Sequence, residues 1–171
     1  AHARQRPGAQ SQVIFLGDYL SRGQDSRGVV ERILRWRATC PEHWRVISLK
    51  GNHEDLALRY LSGDLEAARH WFDYDGLDAL RDYGVALPTQ CQPIATPQEL
   101  GGLAQPVPVL MTPVAKAFDD ATLESLRHAF ATALPATHLA FLESLSVSHR
   151  AGDYHFVHAG VRPGVALEAQ T

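Results

Sequence analysis

Two apolar runs, VIFL at 13–16 and VISL at 46–49, constrain this chain more than any other feature. Each stops at a glycine followed by polar side chains, in VIFLGD and VISLKGNHE. Short continuous apolar runs bounded by breakers read as buried strands. Between them, DSRGVVERILRWRAT places Val29, Val30, Ile33, Leu34 and Trp36 at helical spacing. Asp25 or Ser26 serves as N-cap, and Pro41 stops the run. Strand, helix and strand at this separation form a βαβ unit, which implies parallel pairing through a right-handed crossover.

The remaining chain suits one domain on that unit. Residues 54–83 read as helices broken at Gly63 and Gly76, with Trp71 and Phe72, like Trp36, expected in the core. Residues 84–116, rich in Pro and Gly and without a period, read as an irregular insertion. Two helices are expected near 121–133 and 136–145. The segment LSVSHRAGDYHFVHAG then reads as a hairpin whose second strand ends at His158. At 171 residues the chain is long enough for one domain with a real core. A net charge of −3 without a basic run argues against nucleic acid as a partner. No apolar stretch reaches the length of a membrane span, and AHARQRPGAQSQ has no apolar core of a leader peptide. Cys40 and Cys91 lack metal or redox spacing and read as reduced thiols of a cytoplasmic protein.

Three strands thus end in three kinds of ligand: Asp18 after Gly17, Asn52 after Gly51, and His158 before Ala159-Gly160. In sheets with parallel connections, loops beyond the strand carboxyl ends converge, and glycine lets backbone approach an ion or oxyanion closely. Taken singly, Asp18 and Asn52 are ordinary loop residues, His158 a strand-end histidine and Arg22 a solvated charge. Together they are a mixed oxygen and nitrogen donor set, suited to manganese, iron or zinc rather than calcium. A carboxylate can bridge two ions about 3.5–4 Å apart, a spacing that clamps a phosphate ester. Asp18 is the candidate bridge. Tyr19, next to it, either lines a substrate groove or packs.

The stretches FLGDYLSRGQDSRGVV, LKGNHEDLALRYL, LDALRDYGV, FLESLSV and GDYHFVHAGVRPGVALEAQ resemble the serine/threonine protein phosphatase family of calcineurin-like metallophosphoesterases, in its bacterial branch. The resemblance implies an α/β fold, the calcineurin-like αββα sandwich, and a centre of two divalent metal ions, manganese first, with iron or zinc as alternatives. It implies phosphoester hydrolysis by a metal-activated water. Asp18 would bridge the metals, and Asn52 and His158 would bind one of them. His53 would protonate the leaving alkoxide, and Arg22 would hold two phosphate oxygens in a bidentate fork. The substrate would be a phosphorylated protein or a small phosphoester. Glu54, opening the next helix, suits the helix dipole and reads as structural.

Three departures bear on that expectation. The family opens with an Asp-x-His-Gly motif and adds a late Gly-His motif, and neither stands in this chain. The chain therefore reads as a single metallophosphoesterase domain, 1–171, truncated at both ends, with an incomplete sandwich and weak activity by itself. The third is Ser21, where the family's GDxxDRG has an Asp that orients the histidine matching His53. Serine there can hydrogen-bond His53 but carries no charge. A small uncharged residue at this point resembles the dinucleoside tetraphosphatases, making a diadenosine-tetraphosphatase-like hydrolase the alternative enzyme. A degenerate, non-catalytic phospho-binding domain is the alternative of another class. The sequence leaves the oligomeric state open.

Overall fold

The computed structural model describes residues 11–88 and 118–170. The chain runs through β1 (Ser11–Phe15), α1 (Ser26–Thr39), β2 (Trp44–Ser48), α2 (Asn52–Leu61), α3 (Leu65–Phe72) and α4 (Gly76–Asp82). It continues through α5 (Asp120–Ala133), α6 (Ala136–Glu143), β3 (Ser148–Ala151) and β4 (Tyr154–Val157), with a short 3-10 turn at Leu167–Ala169. The expected insertion at 84–116 lies, beyond residue 88, outside the described residues.

β1 pairs parallel with β2 in the register Ser11↔Trp44 to Phe15↔Ser48, as the βαβ reading requires. The pairing extends one step through the Leu49 N–H on the Phe15 carbonyl. On its other side Leu49 bridges to Ser146 in parallel sense, and the Lys50 N–H bonds the Ser146 carbonyl at 2.8 Å. The segment leaving α6 is thus laid beside β2 before it turns into the antiparallel β3–β4 hairpin. β1 is less covered than its apolar text implies: Val13, Ile14 and Phe15 are half-buried and Gln12 is exposed. Among the described residues this sheet is only two strands wide.

Helix ends follow local chemistry. The Asp25 carboxylate accepts the Gly28 N–H at 2.8 Å, the N-cap of α1. Cys40, held extended before Pro41, ends that helix. Asp64 and Asp119 cap α3 and α5 in the same way, through the N–H groups of Ala67 and Thr122. The core lies among the helices. Trp71, Tyr60, Phe130 and Leu80 are sealed, and the Tyr60 hydroxyl donates to the Leu123 carbonyl. Tyr60 and Phe72 meet edge to face at 5.5 Å between ring centres. Trp71 and Phe72 are buried as expected, but Trp36 is not: it is 39% exposed and lies edge-on against Phe15. Helix geometry explains this, since Trp36 sits about 60° around α1 from buried Ile33 and about 120° from buried Val30.

Candidate active site

The loops after β1 and β2 leave the sheet side by side and share one constriction. Gly17 has φ +113°, and a Cβ there would lie 2.5 Å from the Gly51 nitrogen and 3.0 Å from His158 Nδ1. A Cβ on Gly51 would strike the Asp18 carboxylate and backbone nitrogen. Both glycines are therefore required by close backbone approach. The β1 loop then curls tightly, with Asp18, Ser21 and Arg22 all at positive φ, 57°, 70° and 58°. Aspartate adopts that region more readily than most residues. Clusters of such conformations occur at functional sites.

This curl brings Asp18 beside Asn52 and His158. His158 Nδ1 lies 2.9 Å from the Leu16 carbonyl, which can only accept. That contact places the imidazole proton on Nδ1 and leaves the Nε2 lone pair free. Nε2 faces Asn52 Oδ1 at 3.1 Å and Asp18 Oδ1 at 3.4 Å. Three electron-pair donors thus converge, an arrangement that a proton on Nε2 or a cation satisfies. A histidine whose second nitrogen is tied to a backbone carbonyl is the arrangement metal-ligating histidines adopt. The donor chemistry fits a divalent ion. Three donors fall short of the four a tetrahedral zinc takes, and among the described residues no three His, Cys, Asp or Glu side chains are grouped to hold a metal.

His53 lies one residue further along. Asn52 and His53 form the first turn of α2, which begins two residues earlier than the expected start at Glu54. The His53 N–H points at Asp18 Oδ1. Its ring is completely buried, and both ring nitrogens lack a hydrogen-bond partner. Burial lowers its pKa below the usual histidine value; the Asp18 carboxylate opposes this, and Arg22 adds to it.

The expected Ser21–His53 contact is absent. Ser21 Oγ accepts the Trp71 indole N–H at 3.1 Å, and the Ser21 N–H is taken by Ser26 Oγ. A buried indole N–H needs an acceptor, and here the Ser21 hydroxyl supplies it. Arg22 is exposed and makes no hydrogen bond or ion pair with the described residues; its guanidinium is not drawn onto the Asp18, Asn52 and His158 group. Tyr19 packs rather than lining a groove: it is buried, and its hydroxyl donates to the Leu49 carbonyl at 2.8 Å.

One residue has a part that the sequence reading did not give it. The Glu54 carboxylate is fully buried and turned back under both loops. Oε2 accepts the N–H groups of Asp18 and Gly51 at 2.8 and 2.9 Å, and Oε1 those of Tyr19 and Leu20 at 2.7 and 3.0 Å. Burial raises its pKa above the ordinary carboxylate value, and these four donors pull against the rise. The Gly51 bond is half of a capping box, a local signal that was available in G-x-x-E; the other three were not.

Parallel strands separated by a helix, with polar loops meeting at their carboxyl ends, define an α/β protein whose site is built from strand-end loops. A family model for the calcineurin-like phosphoesterases matches residues 3–163. The chain therefore belongs to the calcineurin-like phosphoesterase family, with the α/β fold, the hydrolytic phosphoesterase activity and the use of divalent metal ions that go with it. A search of the curated proteins finds no match for the chain.

Proposed function

We propose that this phosphoesterase hydrolyses phosphomonoesters, with phosphoserine or phosphothreonine proteins as its substrate class. Asp18, Asn52 and His158 would hold divalent metal, manganese first, Asp18 as the bridging carboxylate. The observation that carries this reading is the convergence of Asp18 Oδ1, Asn52 Oδ1 and His158 Nε2, with the His158 proton fixed on the far nitrogen by Leu16. When bound, the ions supply Lewis acidity toward the phosphoryl oxygens and the attacking water. Arg22, exposed and without a hydrogen bond or ion pair among the described residues, would take two phosphate oxygens in its planar fork. His53, its ring nitrogens unpartnered beside Asp18, would give a proton to the leaving alkoxide as the P–O ester bond breaks. Cys40 is a free thiol, in keeping with a cytoplasmic setting.

The alternative substrate, a dinucleoside tetraphosphate, gains from one observation. Ser21 is occupied by Trp71 and, among the described residues, no carboxylate is hydrogen-bonded to the His53 ring nitrogens, so the acid is poorly supported, and a phosphate leaving group needs little protonation.

Manganese-dependent turnover of a phosphoserine peptide, p-nitrophenyl phosphate and diadenosine tetraphosphate by the 171-residue chain separates these readings. We expect the phosphopeptide to be cleaved fastest. His53→Asn should lower its kcat by about 10²–10⁴-fold and that for p-nitrophenyl phosphate much less, because p-nitrophenolate leaves without a proton. Faster cleavage of the dinucleotide would select the alternative. Tight phosphopeptide binding without turnover of any of the three would select a binding domain.

A further inference from the structure

We infer that Glu54 is a positioning residue that sets the spacing of the proposed metal ligands by gripping both loops that carry them. The inference rests on the ligand reading above and goes beyond it, since Glu54 itself touches neither ion nor substrate.

The grip spans two chain segments more than thirty residues apart in sequence. From the β1 loop the carboxylate takes three consecutive N–H groups, those of Asp18, Tyr19 and Leu20; from the β2 loop it takes that of Gly51. Three N–H groups in a row can point at one acceptor only if the backbone curls, and the positive φ of Asp18 is part of that curl. None of the four lies in a helix or strand ladder. Without Glu54 they would be buried donors with no acceptor, and the curl would have nothing to hold it.

A carboxylate is the only side chain that can do this in the space available. Each oxygen receives two N–H groups, so both must be acceptors. Glutamine would turn an NH₂ toward one pair of donors. Aspartate is one methylene too short to reach from the third position of α2 to the β1 loop. The fully buried, acceptor-only group holds the N–H of Asp18 and that of Gly51, the residue directly before Asn52. A change there moves Asp18 Oδ1 relative to Asn52 Oδ1 while leaving every proposed ligand in place.

The test compares manganese binding by calorimetry for the wild-type chain, Glu54→Gln and Tyr60→Phe. Tyr60→Phe is the control for general destabilisation, because it removes the buried hydroxyl bond to the Leu123 carbonyl of α5, at the far end of α2 from Glu54, and keeps the ring in place. Glu54→Gln is expected to bind manganese at least tenfold more weakly while folded, and Tyr60→Phe to bind as the wild type does. Folded Glu54→Gln with wild-type affinity would overturn the inference, as would an equal loss in both variants. Should Glu54→Gln fail to fold, amide hydrogen exchange on the wild-type chain decides. The amides of Asp18, Tyr19, Leu20 and Gly51 should exchange slowly and together, and exchange at open-loop rates would overturn it. A wild-type chain that binds no manganese sinks the ligand reading instead, and the same exchange measurement then decides for or against Glu54 as the clamp of the two loops.

Discussion

An alanine at position 17 would have to keep φ at +113° and place its Cβ 2.5 Å from the Gly51 nitrogen. Neither demand can be met without parting the two loops. Gly17→Ala should therefore cost about 1–3 kcal/mol from backbone strain alone, with the steric clash adding to it. The measurement is the urea midpoint at constant m-value. An unchanged midpoint would show that the loops do not pack as tightly as the structure has them. At this scale the sequence was informative where an identity was dictated locally. Asp18, Asn52 and His158 could be picked out because each adjoins an apolar run and a glycine, and the structure brings those three side chains together. It was silent where identity depends on a partner far along the chain. Nothing near Ser21 announces that a tryptophan fifty residues away will occupy its hydroxyl. Nothing in GNHE says that the glutamate will collect three amides from another loop.

At the scale of elements, α1 shows how far local chemistry carries. Its start was legible as Asp25 or Ser26, and the structure selects Asp25 through its bond to the Gly28 N–H. Asp25→Ala should lower stability by about 1 kcal/mol, the usual cost of losing a side-chain N-cap. Chemical denaturation would read this directly, and a neutral outcome would mean that the Ser26 N–H bond to Asp82 holds the helix start by itself. The ends of α5 and α6 were legible to within two residues, although only α5 has a side-chain cap, from Asp119. The start of α2 was not, because Gly-Asn reads as loop until Glu54 is seen folded back as a capping partner. Trp36 was misplaced because helical period shows which residues share a face, but not how wide a strip of that face its neighbours cover. The half-covered state of β1 was equally illegible, since burial of a strand depends on how many strands flank it.

At the scale of the whole molecule, a buried hydrogen bond between Tyr83 and His138 ties α6 to the residue closing α4. The ring Nδ1 lies 2.9 Å from the hydroxyl, and both side chains are sealed from solvent. This tie has a pH signature. Burial lowers the His138 pKa; Glu31 opposes the shift and Arg27 reinforces it. The unfolded chain, with an ordinary value of about 6.5, then binds the proton more readily than the folded one. The stabilisation is complete above pH 6.5 and is lost progressively as pH falls from there toward the folded-state value. His53, also lowered, contributes with the same sign, so the wild-type slope alone cannot assign the effect. The paired change Tyr83→Phe with His138→Leu removes both hydrogen-bonding groups together and leaves no orphaned donor, which keeps the fold a fair comparison. Urea unfolding at pH 7 and pH 5 should show a smaller loss of stability on acidification for the double variant than for the wild type. Equal losses would mean that His138 takes up its proton as easily folded as unfolded, and that the junction between α4 and α6 opens to water.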